Sequence, residues 1–215
     1  MESSPKVLKS FCTTNEAAQT LGVSVRTVQL WTEAGLLQAW KTDGGHRRIT
    51  RESVENLLAS KPRPMHGREA HGGENLTILV VDDEPSLLRL YEQNMRRWPM
   101  KPAVITARNG MEALVKLGSV RPDLLVTDLR MPDLDGFKML QSLRTFTELA
   151  GMSTVVVTGL DSVDIDAGGG VPDGIPVLPK PIPFDRLRDI AIVIADRKLR
   201  KSSGTDVFNT LLPVQ

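Results

Sequence analysis

Ile78-Leu79-Val80-Val81-Asp82-Asp83-Glu84-Pro85-Ser86 is the stretch whose reading decides the fold of most of this chain. Four consecutive apolar residues suit a strand buried on both faces of a parallel sheet. Pro85 suits the first turn of a helix, which continues through Leu87, Leu88, Leu90 and Tyr91. A strand that ends in acids and then turns into a helix puts charge where open α/β sheets bind ligands. Two carboxylates about 4 Å apart repel by roughly 4 kcal/mol at an effective dielectric near 20. A hard divalent cation such as magnesium is the usual offset, and an acidic solvated turn is the alternative.

Downstream the same pattern repeats. Ala103 to Thr106 reads as a strand, and Asn109-Gly110 leads to a helix through Ala113, Leu114 and Leu117. Asp123-Leu124-Leu125-Val126-Thr127-Asp128 is a buried strand ending on an acid. After the turn Met131-Pro132-Asp133-Leu134-Asp135-Gly136, the pattern predicts a helix from Phe137 to Phe146. Thr154 to Gly159 is a β-branched strand that ends on the Thr158 hydroxyl. Ile175 to Leu178 runs into Pro179-Lys180-Pro181, and Phe184 to Arg200 has the pattern of an amphipathic last helix. Strands alternating with helices define an α/β, doubly wound parallel sheet. All but one of its strand ends carry chemistry: two acids, one acid, one hydroxyl, one amine.

Asp82-Asp83, Asp128 with Met131-Pro132 and Asp135-Gly136, Thr158, and Lys180-Pro181 together resemble the receiver domain of bacterial two-component response regulators. The resemblance implies a five-stranded, flavodoxin-like domain in which Asp128 is the phosphoacceptor for a cognate histidine kinase. It implies Mg²⁺ held by Asp82, Asp83, Asp128 and the backbone carbonyl of Arg130. Lys180 would pair with a phosphoryl oxygen, and Thr158 would donate its hydroxyl to the new group. Pro181 would follow a cis bond, and Glu84 would cap the helix rather than bind metal. Such a protein is a phosphoprotein that passes a signal, not an enzyme.

Two departures stand out. Receivers usually carry an aromatic residue three positions before the lysine, where this chain has Val177. Between Thr158 and Lys180, Asp161 to Gly170 holds few helix formers and ends in three glycines, each costing about 1 kcal/mol in a helix relative to Ala. The helix normally found here is therefore expected to be short, displaced or disordered. Output is expected to use a surface other than the common face of the last strand and the two helices beside it. Hydrogen exchange with and without a phosphoryl mimic checks this; strong new protection confined to that common face counts against it.

Toward the N-terminus, Thr13 and Glu16 form a capping-box pattern, and Ala17, Ala18 and Leu21 follow at helical spacing to Gly22. Ser24 can cap a second helix with Val25, Val28 and Trp31 or Leu30 on its buried stripe. The two helices make a helix-turn-helix, with Arg26, Thr27 and Gln29 facing outward near the second helix's start, where base edges are reached. Leu36 to Trp40, a turn through Lys41-Thr42-Asp43-Gly44-Gly45, and His46-Arg47-Arg48-Ile49 read as a hairpin. Its tip carries Lys41, His46, Arg47 and Arg48, suited to phosphates or a minor groove. Thr50 can cap a third helix through Val54, Leu57 and Leu58. Trp31 and Trp40 read as core, and His46 as a turn or phosphate contact, since no second ligand stands at metal spacing.

Leu21-Gly22-Val23-Ser24-Val25-Arg26-Thr27-Val28, with Gly44-Gly45-His46-Arg47-Arg48-Ile49, resembles the winged helix-turn-helix of the MerR and excisionase families. That implies double-stranded DNA as a partner, the second helix in the major groove and Arg47 and Arg48 on the backbone. The alternative is a module that binds protein, making the whole an adaptor. One such domain contacts few base pairs, so a homodimer or repeated sites are expected.

The expected organisation is a small DNA-binding domain over 1–59, a Pro-, Gly- and charge-rich linker over 60–75, the receiver over 76–200 and a tail over 201–215. His66 and His71 read as solvated linker residues. Among 215 residues there are 27 Lys+Arg and 26 Asp+Glu, so any basic patch must be local. Cys12, the one cysteine, excludes an internal disulfide and reads as a small buried thiol. Met1 to Ser10 has no apolar core of a secretory signal, and Ile190 to Ala195 is too short to span a bilayer. A cytoplasmic protein without membrane contact is expected.

Overall fold

In the N-terminal unit, helix formation starts from one side chain. Thr13 accepts from the Glu16 amide at 3.2 Å, while its own amide donates to Glu16 Oε2 at 2.7 Å, closing the capping box. The computed structural model describes residues 10–42, 44–60, 75–132, 136–144 and 151–202. The chain divides into two units, Met1–Arg68 and Glu69–Gln215. The first contains β1 (Phe11–Thr13), α1 (Thr14–Leu21), α2 (Val25–Glu33), β2 (Ala39–Lys41), β3 (Arg47–Thr50) and α3 (Arg51–Ser60). Gly22 ends α1 at φ 67°, a left-handed conformation that glycine adopts without Cβ strain. Ser24 caps α2 by accepting from the Thr27 amide at 3.0 Å. Thr50 stands just before α3 and accepts from the Ser53 amide at 3.4 Å.

The hairpin pairs Trp40 with Arg48 and Lys41 with Arg47, and β3 lies between β2 and β1 in an antiparallel sheet of order β1-β3-β2. β1 is an addition to the sequence reading. Its three residues are too few to show alternation, and its last residue is also the helix cap. The core joins Ala17, Ala18, Leu21, Val28, Leu30, Trp31, Leu37, Ile49, Val54 and Leu57, with the Cys12 thiol buried as expected. Three expectations fail here. Trp40 is 45% exposed, its ring packed edge-on against Phe11 at 5.5 Å, because β2 is the outer strand of the hairpin. Val25 and Leu58 are exposed too, since the buried stripes of α2 and α3 run through other positions.

The second unit alternates β4 (Thr77–Val81), α4 (Pro85–Met95), β5 (Ala103–Ala107), α5 (Gly110–Ser119), β6 (Leu124–Thr127), α6 (Gly136–Arg144), β7 (Ser153–Thr158), α7 (Ser162–Ala167), β8 (Val177–Pro179) and α8 (Phe184–Ser202). The five strands are parallel in the order β5-β4-β6-β7-β8, as in flavodoxin-like sheets. Every residue of β4 and β6 is buried, the physical meaning of their unbroken apolar runs. One face packs Ile78, Val80, Leu124 and Val126 against Leu88, Tyr91 and Met95 of α4 and Leu187, Ala191 and Ile194 of α8. On the other, Leu129 and Val156 meet Phe137 and Leu140 of α6, with Leu160, Ile165, Val171 and Ile175 against them.

α7 is six residues long with none buried, so the expected short helix is what forms. Asp161 caps it through the Asp164 amide at 2.8 Å, and Gly169 and Gly170 beyond it have φ of 105° and 75°. Gly168 packs against Phe137: a Cβ built there would stand 2.5 Å from the ring. Asp43, Asp133, Leu134, Asp135, Phe146, the linker stretch 61–74 with His66 and His71, and residues 203–215 of the tail lie outside the described residues, while 201 and 202 of the expected tail belong to α8. No helix among the described residues is long and apolar enough to cross a membrane.

Gly136 opens α6 with its amide donating to the Leu129 carbonyl at 2.9 Å. A Cβ at Gly136 would stand 2.2 Å from the Asp128 carbonyl oxygen and 2.8 Å from the Leu129 Cα. Backbone cannot swing away as a side-chain tip can. Gly136→Ala is therefore expected to cost about 1–3 kcal/mol by overpacking, read as a lower urea midpoint, while Gly151→Ala, with open space around its Cβ, leaves the midpoint unchanged.

Candidate functional site

Parallel pairing sets Val81 beside Thr127, so the residues that follow them, Asp82 and Asp128, leave adjacent strands at the same height. Carboxylate oxygens of Asp82, Asp83 and Asp128 all lie within 4.8 Å of one another. Asp82 and Asp128 are buried, at 1% and 7% exposure, while Asp83 is exposed at the rim. Lys180 follows β8, and its Nζ donates to Asp82 Oδ2 at 2.9 Å and to Asp128 Oδ2 at 2.5 Å. The Lys180–Pro181 peptide is cis. Backbone donors hold the other oxygens: the Glu84 amide reaches Asp82 Oδ1 at 3.0 Å, and the Leu129 and Arg130 amides reach Asp128 Oδ1 at 2.6 and 3.3 Å.

Burial pushes the Asp82 carboxyl above its ordinary range, because the Glu84 amide and the Lys180 ammonium offset only part of the desolvation and Asp128 adds repulsion. For Lys180, burial favours the neutral amine, but hydrogen bonds and charge from Asp128 and Asp82 outweigh it and hold the ammonium above its usual value. Beneath them Tyr91 is buried, and burial together with the two acids keeps its phenol protonated. Three carboxylates against one ammonium leave a formal double negative charge on hard oxygen donors. That donor set and charge fit a divalent cation of the magnesium class.

Thr158 is buried at the end of β7, and its hydroxyl accepts from the Leu160 amide at 3.3 Å, not engaging the carboxylates. Its carbonyl accepts from the Lys180 amide at 2.8 Å, tying the two strand ends together. Arg130 extends to Asp164 of α7 at 4.0 Å, a loose and exposed pair. Glu84 occupies the N-cap of α4 without capping an amide through its side chain. Its carboxylate accepts from the Ser86 hydroxyl instead, which corrects the capping role read for it. Val177 sits 39% exposed on the edge strand.

In the N-terminal unit, Arg26, Gln29 and Glu33 recur at i, i+3 and i+7 and so share one face of α2. Thr27, expected on that face, is buried: its hydroxyl is 2.9 Å from Ser24 Oγ, so it serves the cap and the core. Lys41 and His46 are exposed on the hairpin. Arg47 is half-buried and donates through Nη2 to Glu33 Oε1 at 3.1 Å. Arg48 is half-buried, with Nη1 on the Arg47 carbonyl at 3.3 Å. The Glu33 contact has no signal in local spacing, since the pair is 14 residues apart and exists only once the hairpin folds back on α2.

Comparison with known proteins agrees with both halves. The family model described as response regulator receiver domain matches residues 78–192, and the chain belongs to that family. A helix-turn-helix domain model matches residues 11–62. Transcriptional regulatory protein ZraR of Klebsiella oxytoca is 31% identical over 135 residues, which span 62% of this chain and 30% of that protein. The alkaline phosphatase synthesis transcriptional regulatory protein PhoP of Bacillus subtilis is 46% identical over 70 residues, 33% of this chain and 28% of that protein. Among solved structures, the receiver domain of the Francisella response regulator 1452 covers 57% of this chain, and 98% of its own length, at 25% identity and a TM-score of 0.48. The chain spans less than two thirds of the length of these curated relatives.

Lys180→Met would strip both buried carboxylates of their shared cation. Each keeps a backbone donor, so the expected loss in metal-free buffer is about 1–3 kcal/mol, below the full cost of breaking a buried pair. Adding Asp82→Asn, which removes one of the two stranded charges, is expected to recover part of that loss in the urea midpoint.

Proposed function

We propose that this chain is a DNA-binding response regulator of a two-component phosphorelay, cytoplasmic, in which phosphorylation of Asp128 modulates DNA binding by the N-terminal unit. The observation that carries the reading is the Lys180 ammonium lying between Asp82 and Asp128, so that sequence-distant groups meet at one rim of the sheet. A cognate histidine kinase would present a phosphohistidine. An Asp128 carboxylate oxygen forms the new P–O bond as the P–N bond breaks, and the histidine nitrogen leaves with the electron pair. The Leu129 and Arg130 amides fix the carboxylate for that approach. Asp82, Asp83, Asp128 and the Arg130 carbonyl would hold Mg²⁺, which when bound supplies charge to offset the phosphoryl oxygens.

Lys180 then pairs with a phosphoryl oxygen, and the Thr158 hydroxyl leaves the Leu160 amide to donate to the new group. The added charge of about −1.5 to −2 thereby pulls on the loop that leads into α7. The chain accepts a group and turns over no external substrate. On the N-terminal unit, Arg26 and Gln29 read base edges while Lys41, His46 and Arg48 take phosphates of double-stranded DNA. Binding as a homodimer on repeated half-sites follows from the small footprint of one such domain.

Two measurements test this. Incubation with acetyl phosphate and Mg²⁺ is expected to add one phosphoryl group to the intact mass. Asp128→Asn, or removal of the metal, is expected to abolish the gain. Affinity for duplex DNA is expected to fall with salt, and Lys41→Ala and Arg48→Ala each to flatten the log–log slope by about 0.9. Binding indifferent to salt and to both changes would make the N-terminal unit a protein-binding module.

A further inference from the structure

We propose that Glu33 is a specificity-determining residue that masks Arg47 and keeps it out of the count of phosphate contacts. This rests on the DNA-binding reading above. Arg47 belongs to the basic hairpin and has the charge and reach to take a phosphate, but in the folded unit its guanidinium is paired with Glu33 at 3.1 Å. Glu33 is the last residue of α2 and stands on the same helix face as Arg26 and Gln29. The acid is therefore on the surface that would meet DNA, where a carboxylate otherwise only repels phosphates.

Counterion release explains what such an acid does. Each cation that neutralises a phosphate adds about 0.9 to the salt slope and strengthens binding to every sequence alike. A cation already matched by a carboxylate brings no net charge to the phosphates. Pairing Arg47 with Glu33 thus lowers the sequence-blind part of the affinity and leaves readout by α2 a larger share of the total. The pair is half-exposed, with side-chain exposures of 27% for Arg47 and 42% for Glu33, and surface pairs of this kind contribute little to stability. Its effect accordingly falls on binding. Lys41, which pairs with Arg47 across β2 and β3, keeps its exposure and its share of phosphate contact.

The experiment compares full-length wild type, Glu33→Gln, Arg47→Gln and the double variant on a mixed-sequence duplex, with affinities taken between about 50 and about 200 mM salt. Glu33→Gln is expected to bind more tightly and to steepen the slope by about 0.9, so that its affinity falls roughly threefold more than wild type over that range. Arg47→Gln alone is expected to leave the slope as it is, and the double variant to return to the wild-type slope. Far-ultraviolet circular dichroism that matches wild type confirms that each variant is folded. If wild type binds with salt dependence but Glu33→Gln weakens binding, or Arg47→Gln flattens the slope, Arg47 is an open phosphate contact and the inference fails alone. If wild type does not bind duplex at all, the DNA-binding reading fails and this inference with it.

Discussion

Two carboxylates buried on neighbouring strands would repel one another and lose hydration together, and the Lys180 ammonium is what lets them coexist. The fold supplies each partner separately. β4 and β6 deliver Asp82 and Asp128 side by side, and β8, at the edge of the sheet, delivers the amine. β7 stands between β6 and β8 and carries Thr158, whose carbonyl holds the Lys180 amide. The strand order therefore fixes the chemistry of the rim. It also leaves a formal negative excess that a divalent cation fits.

Constraint and slack are distributed unevenly around that rim. Asp128 is braced by two backbone amides and by Gly136, whose missing Cβ lets the start of α6 close onto the Asp128 and Leu129 backbone. The Thr158 hydroxyl is engaged by a single amide of its own loop, and the helix beyond, α7, buries no residue. The phosphoryl charge proposed for Asp128 would thus act on a stiff side and a loose one. Motion is expected on the loose side, where few apolar contacts resist it. Val177, small and exposed on the edge strand, offers no large ring to relay that motion, in contrast to the aromatic residue that receivers usually place there.

The N-terminal unit uses charge in another way. Its three-stranded sheet folds the hairpin back on α2, and that contact pairs Arg47 with Glu33. Basic residues that look equivalent along the chain become unequal in space: Lys41 is open, Arg48 bonds the Arg47 carbonyl, and Arg47 is matched by an acid. The four basic residues of the hairpin, Lys41, His46, Arg47 and Arg48, therefore overstate the free charge that a phosphate backbone would meet.

Unbroken apolar runs at Ile78–Val81 and Leu124–Val126 determined buried parallel strands, because only a sheet covered on both faces lets both pleat directions be apolar. Acids and lysine at the strand ends marked Asp82, Asp83, Asp128 and Lys180 as groups that could meet, and the caps at Thr13 and Ser24 determined where helices begin, since a cap is a local hydrogen bond. Short or relational features were beyond the sequence. β1 is three residues long and shares Thr13 with a helix cap; Thr27 turns inward to Ser24 while Val25 faces out; Trp40 is exposed because β2 is an outer strand. The pairing of Lys180 with both acids and the Glu33–Arg47 pair were decided by tertiary structure alone. Composition names the groups that could pair, but distance between them is set only when strands, hairpin and helices have packed.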